Sequence, residues 1–245
     1  MQVFKDVRRE GAMNICVTGG AGFIGSHLVD RLIELGHDVL VIDNLSTGMR
    51  SFVHEDAQFI EMDVRDPKLL SVFEEFKPSI VFHEAAQTMV QSSMENPSYD
   101  CDVNLIGLIN VLDACRKVNV EQFLMPSSAA VYGDLAVLPL TEDLSGMPSS
   151  FYGLTKLTAE GYLRIYHEAF GLNTVCFRYA NVYGPRQGDG GEGGVISIFN
   201  RLIVEGQPLT VFGDGEQTRD FIYVDDVVDA NIKAMGNGQC TGIYN

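Results

Sequence analysis

The segment TGGAGFIG, from Thr18 to Gly25, constrains this chain more than any other. An apolar run at 13–18 precedes it, and Ile24, Leu28, Leu32 and Leu35 follow at helical spacing until Gly36 ends the pattern. Glycines between a strand and a helix do distinct jobs. Gly19 permits the tight turn, Gly22 lets the backbone approach a diphosphate, and Gly25 lets strand and helix pack closely. The helix N-terminus then presents free N–H groups and a partial positive charge to phosphate oxygens. A bare glycine triplet says little, but in a strand–turn–helix setting it indicates a dinucleotide site.

The rest of the chain continues the alternation. Strands are expected at 39–43, 58–63, 79–86, 122–128 and 174–182. Helices are expected from Pro67, over 98–118 and over 151–170. This order predicts an α/β fold: a doubly wound parallel (Rossmann) sheet with helices on both faces and right-handed crossovers. After Val182 the pattern becomes mixed, with a glycine-rich loop at 188–194, a helix near 195–205 and a short strand at 209–212. The expected plan is an extension at 1–12, a dinucleotide-binding domain at 13–182 and a smaller C-terminal substrate lobe at 183–245.

Composition excludes several classes of partner. Thirty-three acidic against 17 basic residues give a net charge of −16, which disfavours nucleic acid and anionic membranes. A phosphate site must therefore rely on local donors. The five cysteines form no CxxC pair and the histidines are dispersed, so no metal site is expected. Scattered thiols in odd number point to a reducing, cytoplasmic setting. No apolar run approaches the ~20 residues of a membrane span, and residues 1–12 lack the apolar core of a secretory signal.

Asp43 ends the second expected strand. A carboxylate there accepts hydrogen bonds from both adenosine ribose hydroxyls and repels a 2′-phosphate, which favours NAD over NADP. Asp63 ends the third strand, where it either meets the adenine amino group or serves as an ordinary turn carboxylate. Tyr152 and Lys156 stand four apart on an expected helix and so share a face. A phenol with a pKa near 10 becomes a base at neutral pH only beside cationic charge, which Lys156 and an oxidised nicotinamide would supply. Ser127 and Ser128 end the fifth strand, where the sheet opens onto its ligand crevice. Taken alone, the two serines are equally explained as backbone satisfaction at a strand end.

Glycine loop, acidic strand end, serine strand end, tyrosine and lysine occur here in that order. With DNLSTG at 43–48, Asn104, RYANVYGPRQ at 178–187 and FGDGEQTRDFIYVDDVVDA at 212–230, the chain resembles the extended short-chain dehydrogenase/reductase family over 13–245. Within it, the likeness is to the NAD-dependent sugar-nucleotide epimerases and dehydratases. The resemblance implies that Tyr152 takes the proton of a sugar 4-hydroxyl, that Ser128 hydrogen-bonds the same oxygen, and that Lys156 holds the nicotinamide ribose. It implies further cofactor contacts from Phe23 and Ile24 in the loop, and from Asn44, Ser46 and Gly48 after Asp43. Asp63, Val64, Ala85, Ala86, Asn104, Ser127 and Tyr179 complete that set. A UDP-sugar would be held by Asn181, Gly194, Val195, Thr210, Phe212 and Arg219, with Arg219 gripping the diphosphate.

Family dehydratases and decarboxylases place a carboxylic acid just after the catalytic hydroxyl, whereas this chain has Ala129 and Ala130. The resemblance therefore implies plain 4-epimerisation, with UDP-galactose/UDP-glucose first and an N-acetylated or uronic acid UDP-sugar behind. It also implies a homodimer through a four-helix interface of the 98–118 and 151–170 helices. Three features depart from the pattern. Glu84 stands where the family is usually apolar, Pro126 replaces a small polar residue, and the sequence ends at Asn245 where relatives continue. The last leaves open a second expectation, an NAD-binding protein without turnover.

Overall fold

The structure is a computed structural model that describes residues 11–135, 137–188 and 194–245. Most of the expected N-terminal extension, and residues 189–193 of the expected glycine-rich loop, lie outside the described residues.

Strands β1 (Asn14–Thr18), β2 (Asp38–Asp43), β3 (Gln58–Glu61) and β4 (Ile80–His83) belong to one parallel sheet. It is completed by β5 (Gln122–Ser128), β6 (Asn173–Tyr179) and β9 (Gly242–Tyr244). The order β3-β2-β1-β4-β5-β6-β9 reverses direction between β1 and β4, the doubly wound arrangement expected. Side chains alternate between two buried faces, because strands covered on both sides are apolar throughout. Cys16, Leu40, Ile42, Val81, Phe123 and Cys176 enter one core. Ile15, Val17, Val41, Phe82, Leu124 and Val175 enter the other.

Helix α1 (Phe23–Glu34) ends at Gly36, whose φ of +87° lets the His37 N–H reach back to the Leu32 carbonyl at 3.1 Å. Helix α2 (Leu69–Phe76) follows β3, and the short α3 (Val90–Glu95) follows β4. The expected helix at 98–118 is continuous but not uniform. It runs as α4 (Pro97–Cys101), a π-helical turn at Asp102–Gly107, and α5 (Leu108–Val118). The extra residue of a π turn changes which side chains face inward, and such turns recur at functional sites. Gly107 suits the turn, since a Cβ there would lie 2.8 Å from Val64 Cγ2. Helix α6 (Phe151–Phe170) has the expected bounds, capped by the Ser150 hydroxyl on the Gly153 N–H at 3.1 Å.

The tail differs from expectation in three respects. The strand expected through Val182 breaks at Ala180. Beyond it, β7 (Asn181–Tyr183) pairs with β8 (Phe221–Tyr223) in a separate two-stranded sheet. The strand expected at 209–212 does not form: β7 and β8 take each other as partners, and a strand without a ladder leaves its backbone groups unpaired. Helix α7 (Val195–Val204) stands near its expected place, but α8 (Val224–Ala234) and β9 return to the main body. There β9 pairs with β6, and Arg31 of α1 bridges Asp229 of α8 at 3.0 Å. The span 183–245, expected as a single lobe, is thus divided between the two sheets.

Candidate active site

The glycine loop is shaped as its sequence requires. Gly19 has a φ of +72°, and a Cβ there would lie 2.5 Å from the Ala85 nitrogen. On Gly25 a Cβ would stand 2.3 Å from the Gly19 oxygen, and on Gly22 it would stand 3.1 Å from the same atom. Gly22 is also the N-cap of α1 and bears no capping side chain, so the first N–H groups of the helix remain available to a ligand. Phe23 and Ile24 form that first turn, and Ala85, just past the end of β4, packs against the loop at Gly19. We expect Gly25→Ala to destabilise the fold by ~1–3 kcal/mol, because the clash is with backbone, and to weaken cofactor binding at least about tenfold. Thermal unfolding with and without NAD checks both.

Asp43 is 8% exposed at the end of β2. Its Oδ2 accepts the Ala21 N–H at 3.0 Å and its Oδ1 the Leu45 N–H at 2.8 Å, which binds strand end to glycine loop. Each oxygen keeps a further lone pair for a ribose hydroxyl. Asn44 turns the following loop by accepting the Ser46 N–H at 3.0 Å, and Gly48 packs against Ala21 and Asp43. Asp63 has another task. It is gripped by Arg65 Nε at 2.8 Å and Nη2 at 2.7 Å and accepts from Asn44 at 2.8 Å, which holds its carboxyl well below the usual range. Arg65 also bridges Asp102, at 2.5 Å.

Tyr152 and Lys156 meet at the far side of the crevice. Lys156 is 5% exposed, and its Nζ lies 5.9 Å from the Tyr152 ring centroid. One ammonium N–H goes to the Pro126 carbonyl at 3.0 Å. This explains the proline. β4 pairs with β5 only as far as Leu124, so Pro126 lies past the end of that ladder and its carbonyl serves Lys156 instead. Burial pulls the Lys156 ammonium down and pushes the Tyr152 phenol up, while the Ser128 hydroxyl favours the phenolate.

A polar network that the sequence reading missed, apart from Asn104, holds this helix. Asn104, in the π turn, accepts the Gln87 N–H at 2.9 Å and donates to Asp100 at 3.2 Å and to Thr155 at 3.3 Å. Thr155 donates to Asp100 at 2.8 Å, and Ser93 of α3 accepts the Tyr152 N–H at 3.1 Å. The only advance signal was spacing: Asp100 and Asn104 stand four apart, as do Tyr152 and Lys156.

Ser127 requires a correction. It is 2% exposed and donates to Glu160 at 2.6 Å, so its hydroxyl is not available to a cofactor. Successive strand residues point to opposite faces, and Ser127 turns beneath α6 while Ser128 stays at the crevice. Glu160 also takes Arg178 through Nε at 2.9 Å and Nη2 at 2.8 Å, and Arg178 reaches the Tyr132 hydroxyl at 2.7 Å. Tyr179 accepts from Asn231 of α8 at 2.6 Å.

Of the expected substrate residues, Asn181, Gly194, Val195 and Arg219 line one cleft of about 140 Å³. Thr210 and Phe212 do not join them; both are exposed, Phe212 by 80%. Among the described residues no cluster of His, Cys, Asp or Glu could hold a metal ion, and no helix is long and apolar enough to cross a membrane.

Comparison with known proteins bears on the whole of this arrangement. A model of the NAD dependent epimerase/dehydratase family matches residues 15–245. The putative UDP-glucose 4-epimerase of Methanocaldococcus jannaschii is 46% identical over 222 residues, covering 90% of this chain and 73% of that protein. The crystal structure of a Thermotoga maritima UDP-glucose 4-epimerase with UDP-glucose superposes with a TM-score of 0.91 at 43% identity, covering 95% of this chain and 76% of that one. A UDP-N-acetylglucosamine 4-epimerase from Methanobrevibacter ruminantium, in complex with UDP-N-acetylmuramic acid, gives a TM-score of 0.91 at 38% identity over 96% of this chain and 76% of that one.

Proposed function

The chain belongs to the NAD-dependent epimerase/dehydratase family, and from that premise we propose that it interconverts UDP-galactose and UDP-glucose by epimerisation at C4. The observation that carries the reading is Tyr152, with Ser128 at its phenol and Lys156 one helical turn away, followed after Ser128 by Ala129 and Ala130 rather than a carboxylic acid.

The residues fit NAD. The cradle at Gly19, Gly22 and Gly25 admits no Cβ without displacing backbone or crowding it, and the Asp43 carboxylate waits at the adjacent strand end. When bound, NAD would be held by the glycine cradle and Asp43 and would supply a reversible hydride acceptor at the sugar C4. Tyr152 takes the 4-hydroxyl proton and later gives it back, and Ser128 shares a hydrogen bond with the same oxygen. Lys156, pinned by Pro126, keeps two N–H donors for ribose hydroxyls and places positive charge near the phenol. The network of Asp100, Asn104 and Thr155 braces α6, so that Tyr152 meets the reacting oxygen while Lys156 faces the nicotinamide ribose. Arg219 and Asn181 supply donors for the diphosphate.

The test is incubation of the NAD-loaded protein with UDP-galactose, with UDP-glucose followed by NMR and UDP-N-acetylglucosamine and UDP-glucuronate run beside it. Conversion of UDP-galactose is expected. Failure on every sugar while NAD remains bound would leave the NAD-binding protein without turnover as the surviving reading. Preference for the N-acetylated sugar would place the chain with the second kind of neighbour.

The protein is further proposed to work as a homodimer. Leu154, Tyr162 and Ile165 recur on one face of α6, and Tyr99 and Ile106 stand exposed on the adjoining helix. Light scattering at micromolar concentration should give the mass of two chains, and Ile106→Glu with Ile165→Glu should give one; a monomeric parent protein would refute the interface.

A further inference from the structure

Ser128 stands at the end of β5, where the sheet holds the strand on one side only. β5 pairs with β4 as far as Leu124, while its ladder with β6 continues to Ser128. Residues 125–128 therefore form a one-sided edge over the crevice. Backbone with a ladder on one side is more easily displaced than backbone paired on both. Helix α6 supplies the missing hold. Gly153, Lys156 and Glu160 stand three and four residues apart, so they share one face of that helix. A Cβ on Gly153 would lie 2.6 Å from the Ala130 oxygen, so the helix abuts the turn that follows Ser128. Lys156 donates to the Pro126 carbonyl at 3.0 Å.

Glu160 makes the third tie. Its Oε1 accepts the Ser127 hydroxyl at 2.6 Å and Arg178 Nε at 2.9 Å, and its Oε2 accepts Arg178 Nη2 at 2.8 Å. Ser127 and Arg178 are direct partners across the β5–β6 ladder, so one carboxylate clamps both strands. Arg178 Nη1 then donates to the Tyr132 hydroxyl at 2.7 Å, at the end of the 3₁₀ turn Ala129–Tyr132. All four side chains are buried, so water does not compete for these bonds. Ser128 is thus fastened through the residue before it and through the turn after it. We propose that Glu160 is a positioning residue, acting through Ser127 on one side and through Arg178 and Tyr132 on the other to hold the Ser128 hydroxyl at the reacting oxygen, a role that rests on C4 epimerisation being the reaction.

Tyr152 and Glu160 stand on the same helix, about two turns apart. The element that presents the base therefore also grips the strand that presents the serine, and a small shift of α6 carries both. The orientation of Ser128 depends on the same turn. Its Oγ accepts the Ala130 N–H at 3.1 Å, which leaves the O–H proton to donate to the sugar oxygen. That donation is useful only if the hydroxyl stays in place, since a misplacement of about 1 Å can cost on the order of a hundredfold in rate.

The experiment compares Ser127→Ala and Tyr132→Phe with the parent protein, each loaded with NAD and given UDP-galactose. Each variant removes one arm and leaves both Glu160–Arg178 bonds in place, so each should fold. In both, kcat should fall about tenfold, with KM and NAD affinity nearly unchanged. In Ser127→Ala the rising limb of the pH–rate profile should also move to higher pH, because a displaced Ser128 favours the Tyr152 phenolate less. The double-mutant cycle separates positioning from bracing of the fold. With Ser128→Ala already present, Ser127→Ala should lower the residual rate by less than about twofold, since the group it positions is gone. A parental kcat in either single variant, an unmoved rising limb, or a tenfold loss that persists in the Ser128→Ala background overturns the proposal. A parent protein that converts no UDP-sugar sinks the epimerase reading and this role with it, whereas an active parent with unaffected variants sinks this role alone.

Discussion

Tyr152→Phe is expected to lower kcat for C4 epimerisation by roughly 10²–10⁴-fold while NAD stays bound and the fold is unchanged. The loss is confined to the phenolic oxygen. The ring remains beside Lys156, and the Tyr152 backbone N–H still donates to Ser93. Neither the glycine cradle nor Asp43 touches the removed atom among the described contacts. An interaction made mainly in the transition state lowers kcat and kcat/KM together, so KM should move little. The pH profile is a second readout. Burial raises the phenol, so in the parent protein the rate should climb with pH as Tyr152 ionises. The variant should lose the rising limb. A Phe variant at full rate would remove Tyr152 from the mechanism.

Arg178→Met should cost about 3–5 kcal/mol of stability, the largest single effect we expect away from the chemistry. Arg178 and Glu160 pair at 2.8 Å with side chains only 5% and 4% exposed. Removing the guanidinium leaves the buried Glu160 carboxylate of α6 with Ser127 as its one hydrogen-bond donor among the described residues. The Tyr132 hydroxyl also loses its cationic donor, and that hydroxyl in turn donates to Asn245 at 2.6 Å. For a chain of this length the melting temperature should fall on the order of 10 °C. Adding Glu160→Met removes the stranded charge, so the double variant should be more stable than Arg178→Met alone. If the two losses simply add, the pair is not coupled as its geometry requires.

Much of the fold was legible in the sequence because its signals are local. A glycine loop between an apolar strand and an amphipathic helix, and the bounds of α6 at Phe151 and Phe170, depend on neighbours a few residues away. Backbone sterics and helical periodicity act over that distance. The pairing of Tyr152 with Lys156 belongs to the same class, since four residues on a helix are one turn.

What escaped the sequence is long-range. Ser127 and Ser128 are chemically identical neighbours, and only the packing of α6 on β5 sends one to Glu160 and leaves the other at the crevice. Residues 209–212 have strand character, but a strand exists only with a partner, and Asn181–Tyr183 and Phe221–Tyr223 chose each other. Gly242–Tyr244 offers three residues, too few to announce a strand, yet it pairs with Val175–Phe177 on the main sheet. Glu84 stood out in the sequence only as a departure; the tertiary structure shut its Oε1 off from solvent with no hydrogen-bond partner among the described residues. The sequence by itself thus determined the glycine loop, the acidic strand end and the pairing of Tyr152 with Lys156, because each is written within one or two turns of chain. The tertiary structure alone decided which serine is free, which strand closes the sheet and what surrounds Glu84, because those depend on groups brought together from distant positions.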